Sequence, residues 1–164
     1  MLYIVTGLPY SGKTTLINNL KKRFGFAGTS VDQFIEEEKL DVKNMDQKDW
    51  DRVYTRAYGR LKKLLLSGKS VLFDGGSLKR SERETLKKIA GKAGCEWKMI
   101  WVNTSRETIR ERWSNSRTTK ERGQLEEEVL EKAMDMFEEP TPDENYIAFN
   151  SAMNFEEWVG SNIV

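Results

Sequence analysis

The 164-residue chain carries 27 Lys plus Arg against 26 Asp plus Glu, a net charge of +1, and 38% of its residues are hydrophobic, the proportions of one folded domain with a layered core. It has no histidine and a single cysteine, Cys95, which excludes a His-dependent triad, a His general base, a zinc site and an intrachain disulfide, so any proton acceptor must be a carboxylate. No window reaches the roughly 18 apolar residues of a membrane span, and the first residues read as a core strand rather than a signal peptide, so a cytosolic protein that does not engage membranes is expected.

The chain begins with a buried-strand pattern, "LYIV" (2–5), followed at once by "GLPYSGKT", Gly7 to Thr14. This stretch matches G-x-x-x-x-G-K-[ST], in which backbone N–H groups wrap a phosphate, the lysine reaches the outer phosphates and the hydroxyl holds Mg²⁺. The flanks agree with that reading. In "KTTLINNLKKRF" the residues Leu16, Ile17 and Leu20 fall at helical spacing, so the loop joins a strand to a helix N-terminus, where peptide dipoles and unpaired N–H groups favour an anion. Gly7, Tyr10, Ser11, Gly12, Lys13, Thr14 and Thr15 are therefore the expected contacts for ATP, with Thr14 also on the metal.

Further strands are expected at 27–31, 70–73, 97–102 and 146–149, between helices at about 13–23, 46–67, 79–93, 105–116, 125–138 and 154–160. Such alternation predicts a parallel sheet with helices on both faces, whose ligands sit beyond the carboxyl ends of the strands. That rule selects Asp32, after the second strand, and Asp74, after the third. "SVLFDGG" has the form of a Walker B element whose acid, Asp74, holds Mg²⁺ directly or through water. The adjoining Gly75 and Gly76 would let a substrate approach the backbone. Asp32 is either the base that takes the acceptor hydroxyl's proton or an N-cap for the helix beginning "QFIEEE". In "TSRETIRERWSNSRTTKERG" the arginines Arg112 and Arg117, with Arg122 in reserve, are expected to close over the transferred phosphoryl group from a lid at about 114–127.

Charge is distributed unevenly. Residues 32–51 carry −5, residues 52–125 carry +12 and residues 126–164 carry −10. Either the basic middle faces a phosphate-rich partner, or basic and acidic segments pack together and cancel. Under the first reading Arg52 and Arg56, with Arg60, form a phosphate-binding ridge beside Trp50 and Tyr54, and Arg80, Arg83 and Lys87 form a second stripe near the site. Under the second, these are solvated faces beside a core stripe.

Together, "GLPYSGKTT", "SVDQF", "VLFDGGSLKRSER", "TSRETIRERWSNSR" and "FEEPTPDENYIAF" resemble the P-loop kinases related to phage polynucleotide 5′-kinase, a group that includes zeta-toxin-like and antibiotic phosphotransferases. The resemblance covers nearly the whole chain as one domain, 1–164. It implies a three-layer α/β sandwich with sheet order 2-3-1-4-5, ATP and Mg²⁺ at Lys13 and Thr14, Asp32 as the base, and Arg112 or Arg117 as the lid arginine. Two departures bear on the substrate. Ile35 stands where the polynucleotide kinases carry a phosphate-binding arginine, and Gly75-Gly76-Ser77 stands where they carry a Thr-Asn pair. The expected reaction is transfer of the γ-phosphoryl of ATP to a hydroxyl of a nucleotide or nucleic acid, either a polynucleotide 5′-hydroxyl or the hydroxymethyl group of a modified pyrimidine in phage DNA. Arg80, Arg83, Arg52 and Arg56 would then bind the acceptor together with Asp32 and Asp74. A small-molecule kinase acting on a sugar, antibiotic or metabolite is the alternative. A GTPase is disfavoured, because no Asn-Lys-x-Asp element follows a strand.

Overall fold

The computed structural model describes residues 1–75, 77–119 and 125–163, leaving out the side chains of 117–119. Five parallel strands lie in the order β2-β3-β1-β4-β5, as the resemblance implied. They are β1 (Leu2–Thr6), β2 (Ala27–Ser30), β3 (Val71–Asp74), β4 (Trp97–Val102) and β5 (Tyr146–Phe149). The helices between them are α1 (Lys13–Phe24), α2 (Val31–Glu37), α3 (Gln47–Leu66), α4 (Arg80–Lys92), α5 (Arg106–Thr119), α6 (Glu127–Met136) and α7 (Phe155–Asn162).

Central β1 is buried along its whole length, because helices cover both faces of a parallel sheet and no side of the strand meets water. Its residues alternate between two cores. Leu2 and Ile4 pack with α2, α3 and α4 through Phe34, Val53, Ala57, Leu61 and Leu86. Tyr3 and Val5 face α1 and α7 through Leu16, Leu20, Trp158 and Val159. A third cluster of Leu8, Ile109, Trp113, Leu130 and Met134 joins α5 and α6 to the loop after β1.

Local chemistry sets the helix ends. Asp46 and Asp49 form a reciprocal capping box that starts α3 (Asp49 N to Asp46 Oδ1, 2.9 Å), satisfying two otherwise unpaired N–H groups. Helix α1 ends on Gly25 at φ +67°, after a last turn containing Lys21, Lys22 and Arg23 that complements the helix dipole. The second strand stops at Ser30, one residue short of the expected end, and Ser30 rather than Asp32 caps α2 by accepting from Gln33 N at 3.1 Å. Asp32 is thus placed in the first turn of α2 and is not its N-cap. Among the described residues, no helix is long and apolar enough to cross a membrane.

Candidate active site

The loop from Gly7 to Gly12 turns sharply between β1 and α1. Gly7 (φ +149°) and Gly12 (φ +104°) hold conformations that side chains rarely adopt, and a Cβ on Gly7 would lie 2.7 Å from the Val102 carbonyl oxygen. Tyr10 is left-handed as well, at φ +61°, a strained setting for a bulky residue of the kind that collects at functional loops. The loop is anchored from outside by Thr104 Oγ1, which donates to Ser11 O at 2.8 Å.

Several features of this turn fit the phosphates of a nucleotide. Helices α2, α3 and α7 are capped by the side chains of Ser30, Asp46 and Asn154, whereas α1 starts on Gly12 with no side-chain cap and no acidic residue in its first turn. Its N–H groups are left to an external anion. The hydroxyl of Ser11 is buried without a protein partner. Lys13 Nζ donates to the carbonyls of Gly7 (2.8 Å) and Leu8 (2.9 Å), which holds the ammonium across the loop with a third N–H to spare.

Two cavities open on either side of this loop and share Tyr10, Gly12 and Thr15. One, of about 410 Å³, is lined by Lys13, Thr14, Asp32 and Asp74, with Trp50, Leu78, Leu125 and Val129 as an apolar wall. The other, of about 570 Å³, is lined by Asn19, Arg112, Phe149, Ser151, Met153 and Phe155 among others.

Burial lowers the Lys13 pKa, and Asp74 and Asp32 oppose that shift. The Asp32 pKa is raised, first by desolvation between the cleft walls and then by Asp74, with Lys13 opposing. Asp32 keeps solvent access along the cleft. Desolvation also raises Asp74, against Lys13 and Lys21. One hydroxyl (Thr14) and one carboxylate (Asp74) suit Mg²⁺, which commonly takes one or two protein oxygens and completes its shell with water and phosphate oxygens. Among the described residues no group of three or more His, Cys, Asp or Glu is arranged to hold a metal ion.

The structure brings Lys13, Thr14, Asp32 and Asp74 together as expected and redistributes the arginines. Arg83, expected on the substrate, is buried. Its Nε and Nη2 donate to the Glu144 carboxylate at 2.8 and 2.7 Å, and Nη1 donates to the carbonyls of Ser77, Leu78 and Glu138. It is an internal strut that fixes the segment after β3, with its side chain about 1% exposed.

Arg80 pairs with Asp143, Arg52 with Glu38 and Asp49, and Arg56 with Glu38 and Glu37. These expected substrate contacts have carboxylate partners, and at Arg52, Arg56 and Arg80 the basic middle of the chain meets the acidic segments on either side of it. Arg112 does not reach into the cleft with Asp32. Its Nη1 donates to the carbonyls of Tyr10 (3.0 Å) and Ser11 (3.1 Å) and its Nη2 to Ser151 Oγ (2.7 Å), so it clasps the loop and borders the second cavity.

The Arg117 side chain, Arg122, Gly76 and the middle of the expected lid, residues 120–124, lie outside the described residues. Gly75 serves packing rather than substrate approach: a Cβ there would fall 2.5 Å from the Phe73 ring and 2.8 Å from Val31 Cγ2. Sequence reasoning missed Leu78, Leu125 and Val129 as cleft residues and treated Trp50 mainly as part of a core stripe. The available signal was that Trp50 heads that stripe, in the first turn of its helix.

A comparison with curated proteins returns no match. Solved structures share the fold at low identity. An unliganded sugar kinase from Janibacter sp. HTCC2649 aligns with a TM-score of 0.72 at 18% identity, over 99% of this chain and 91% of that one. Kti12 of Chaetomium thermophilum in complex with ADP-AlF3 aligns at 0.71 and 21%, over 98% and 94%. The APS kinase of Mycobacterium tuberculosis in complex with AMPPNP and APS aligns at 0.67 and 15%, over 99% and 94%. At these identities the likeness shows a shared fold over nearly the whole chain. The AAA domain family matches residues 2–140, from the first strand through the phosphate loop, both carboxylates and the helix before the last strand, and the chain belongs to that family.

Proposed function

We propose that this protein is an ATP-dependent kinase that transfers the γ-phosphoryl group to a hydroxyl of a small molecule. The observation that carries this reading is the division of space by one phosphate loop. The cavity bounded by Arg112, Phe149 and Phe155 suits a nucleoside, and the cavity holding Lys13, Asp32 and Asp74 suits an acceptor, with Tyr10, Gly12 and Thr15 lining both. Small-molecule kinases among the structures of the same fold support it.

In this mechanism the loop N–H groups and Lys13 hold the β- and γ-phosphates. Asp32 orients the acceptor hydroxyl and takes its proton as the new O–P bond forms. The bond from the γ-phosphorus to the bridging oxygen breaks, and the electron pair leaves with ADP. Thr14 and Asp74 would hold Mg²⁺, which neutralises charge on the phosphate oxygens when bound.

A polynucleotide or modified-pyrimidine acceptor in phage DNA loses its main support. Four of the arginines that would have tracked a nucleic-acid backbone, Arg52, Arg56, Arg80 and Arg83, are paired with Glu37, Glu38, Asp49, Asp143 and Glu144. The test is salt dependence. A small-molecule kinase should keep its kcat/KM within about twofold between 50 and 200 mM salt, a range over which a protein making several phosphate contacts loses about 10³-fold or more in nucleic-acid affinity. Phosphorylation of an oligonucleotide in preference to its nucleoside, with that advantage falling steeply as salt rises, would overturn the proposal.

A further inference from the structure

The acceptor cleft has an unusual charge inventory for an enzyme that handles phosphate. Among the described residues, its lining includes one cation, Lys13, and that ammonium sits across the phosphate loop on the carbonyls of Gly7 and Leu8. The charged groups on the acceptor side are the two carboxylates, Asp32 and Asp74. The remaining wall is apolar: Trp50, Leu78, Leu125 and Val129.

Of the arginines on the elements flanking this side, the four nearest in sequence to the cleft residues Trp50 and Leu78 are engaged by protein groups, while Arg60 lies ten residues beyond Trp50, about 15 Å along α3. Arg52 and Arg56 on α3 share Glu38, and Arg56 also stacks on Phe34, 4.9 Å from the ring centroid. Arg80 and Arg83 on α4 are held by Asp143 and Glu144. Behind the mouth, Trp50, Tyr54, Tyr58 and Phe73 form a continuous aromatic ladder with centroid spacings of 6.3, 5.6 and 5.9 Å. The ladder backs the indole of Trp50 with packed rings and so presents it to the cleft as a firm surface.

Carboxylates accept hydrogen bonds and donate none when ionised. They recognise hydroxyl and ammonium donors, and they repel a phosphate or carboxylate placed beside them. A flat aromatic wall, in turn, takes the apolar face of a ring. We infer that the acceptor is a small polyhydroxyl ring compound with no phosphate or carboxylate of its own, neutral or cationic, whose apolar face lies on Trp50 while its hydroxyls donate to Asp32. This rests on the kinase reading above and narrows it to a substrate class.

The experiment is a steady-state comparison of matched acceptors with ATP and Mg²⁺, using the native chain and two variants. The pairs are a sugar and its phosphate ester, a polyol and its aldonic acid, an amino sugar and its N-acetylated form, and a nucleoside and its monophosphate. The expected result is that the best acceptor is a member without an anionic group, preferred over its anionic partner by about 10²-fold or more in kcat/KM. Trp50→Ala should raise the KM for that acceptor about tenfold or more with the KM for ATP unchanged, and Trp50→Phe should recover most of it.

The inference is overturned if an anionic member is phosphorylated as well as its neutral partner, or if Trp50→Ala leaves acceptor KM unchanged in a folded protein. The kinase reading survives either result. If no compound gains phosphate from a protein that binds ATP, the kinase reading fails and this inference falls with it. The amino-sugar pair separates a cationic acceptor from a neutral one, either of which supports the inference.

Discussion

Replacing Glu144 with Gln tests the reassignment of Arg83 from substrate contact to internal strut. Both side chains are about 1% exposed and meet through two bonds of 2.7 and 2.8 Å. Glu144→Gln keeps the volume and one acceptor oxygen but leaves the guanidinium without its counter-charge in a site water does not reach. Two charge-assisted hydrogen bonds are worth about 1.5–3 kcal/mol each. The three carbonyls that Arg83 also engages remain, which keeps the loss toward the low end, about 3–4 kcal/mol, within the range found for breaking buried pairs. For a domain of this size each kcal/mol lowers Tm by roughly 2–4 °C, so a fall of about 6–16 °C is expected in a thermal melt followed by circular dichroism.

The double variant Arg83→Met/Glu144→Leu should regain most of that loss, because no unpaired charge is then buried. The pH dependence has a definite sign. Hydrogen bonds from Arg83 hold the Glu144 pKa below the ordinary 4.5, so the pair's contribution is complete above that value and is lost as pH falls through the lower, folded-state value. The native chain should therefore lose stability more steeply below about pH 4.5 than the Gln variant does. A Tm within about 2 °C of native, together with a large rise in acceptor KM, would refute the strut and return Arg83 to the substrate.

The remaining predictions separate the roles within the site. Asp32→Asn should lower kcat by about 10²-fold or more with ATP affinity near native, while Asp74→Asn should raise the Mg²⁺ concentration needed for half-maximal rate; equal loss of nucleotide binding in both would contradict the assignment. Because desolvation and Asp74 raise the Asp32 pKa above the ordinary 3.8, kcat/KM should fall on acidification at a pH above that value. Glu36→Gln, which removes another nearby negative charge, should move that limb to lower pH, and a shift upward or an unmoved limb would count against Asp32 as the base. Arg112→Ala should raise the KM for ATP about tenfold or more and leave the acceptor KM unchanged, as expected for a residue on the nucleoside side of the loop; the reverse pattern would return Arg112 to the transferred group.

The parts of this protein that were legible in its sequence are those whose meaning is local. A phosphate loop is written in eight consecutive residues, and the strand that places Asp74 is written in the few before it. Sheet order followed from resemblance, because nothing in the strands' own residues distinguishes their neighbours. The arginines' partners were not legible because a basic helical stripe looks the same whether it is solvated, bound to phosphate or paired with acids elsewhere. Arg83 meets Glu144 across 61 residues of sequence and Arg56 meets Glu38 across 18, and spacing along one helix carries no trace of either partner. Asp32 was placed beside the correct crevice but at the end of a strand, since "TSVD" continues a β-like run and only the bond from Gln33 N to Ser30 Oγ shows that the helix has already begun. Trp50 was hidden by its membership in an apolar stripe, whose first residue reaches the cleft only because of where α3 starts.

The central claim, that the loop and the two carboxylates form a phosphoryl-transfer site, is tested most directly by one measurement. Native protein and Lys13→Ala are incubated with Mg²⁺, ATP labelled at the γ-phosphate and a panel of hydroxyl compounds, and labelled product is quantified. The account predicts a phosphorylated small molecule from the native protein and a rate lower by about 10²-fold or more from the folded variant, as for removal of a key electrostatic contact to the transferring group. Near-native transfer by Lys13→Ala, or no labelled product from a native protein that binds ATP, would contradict it.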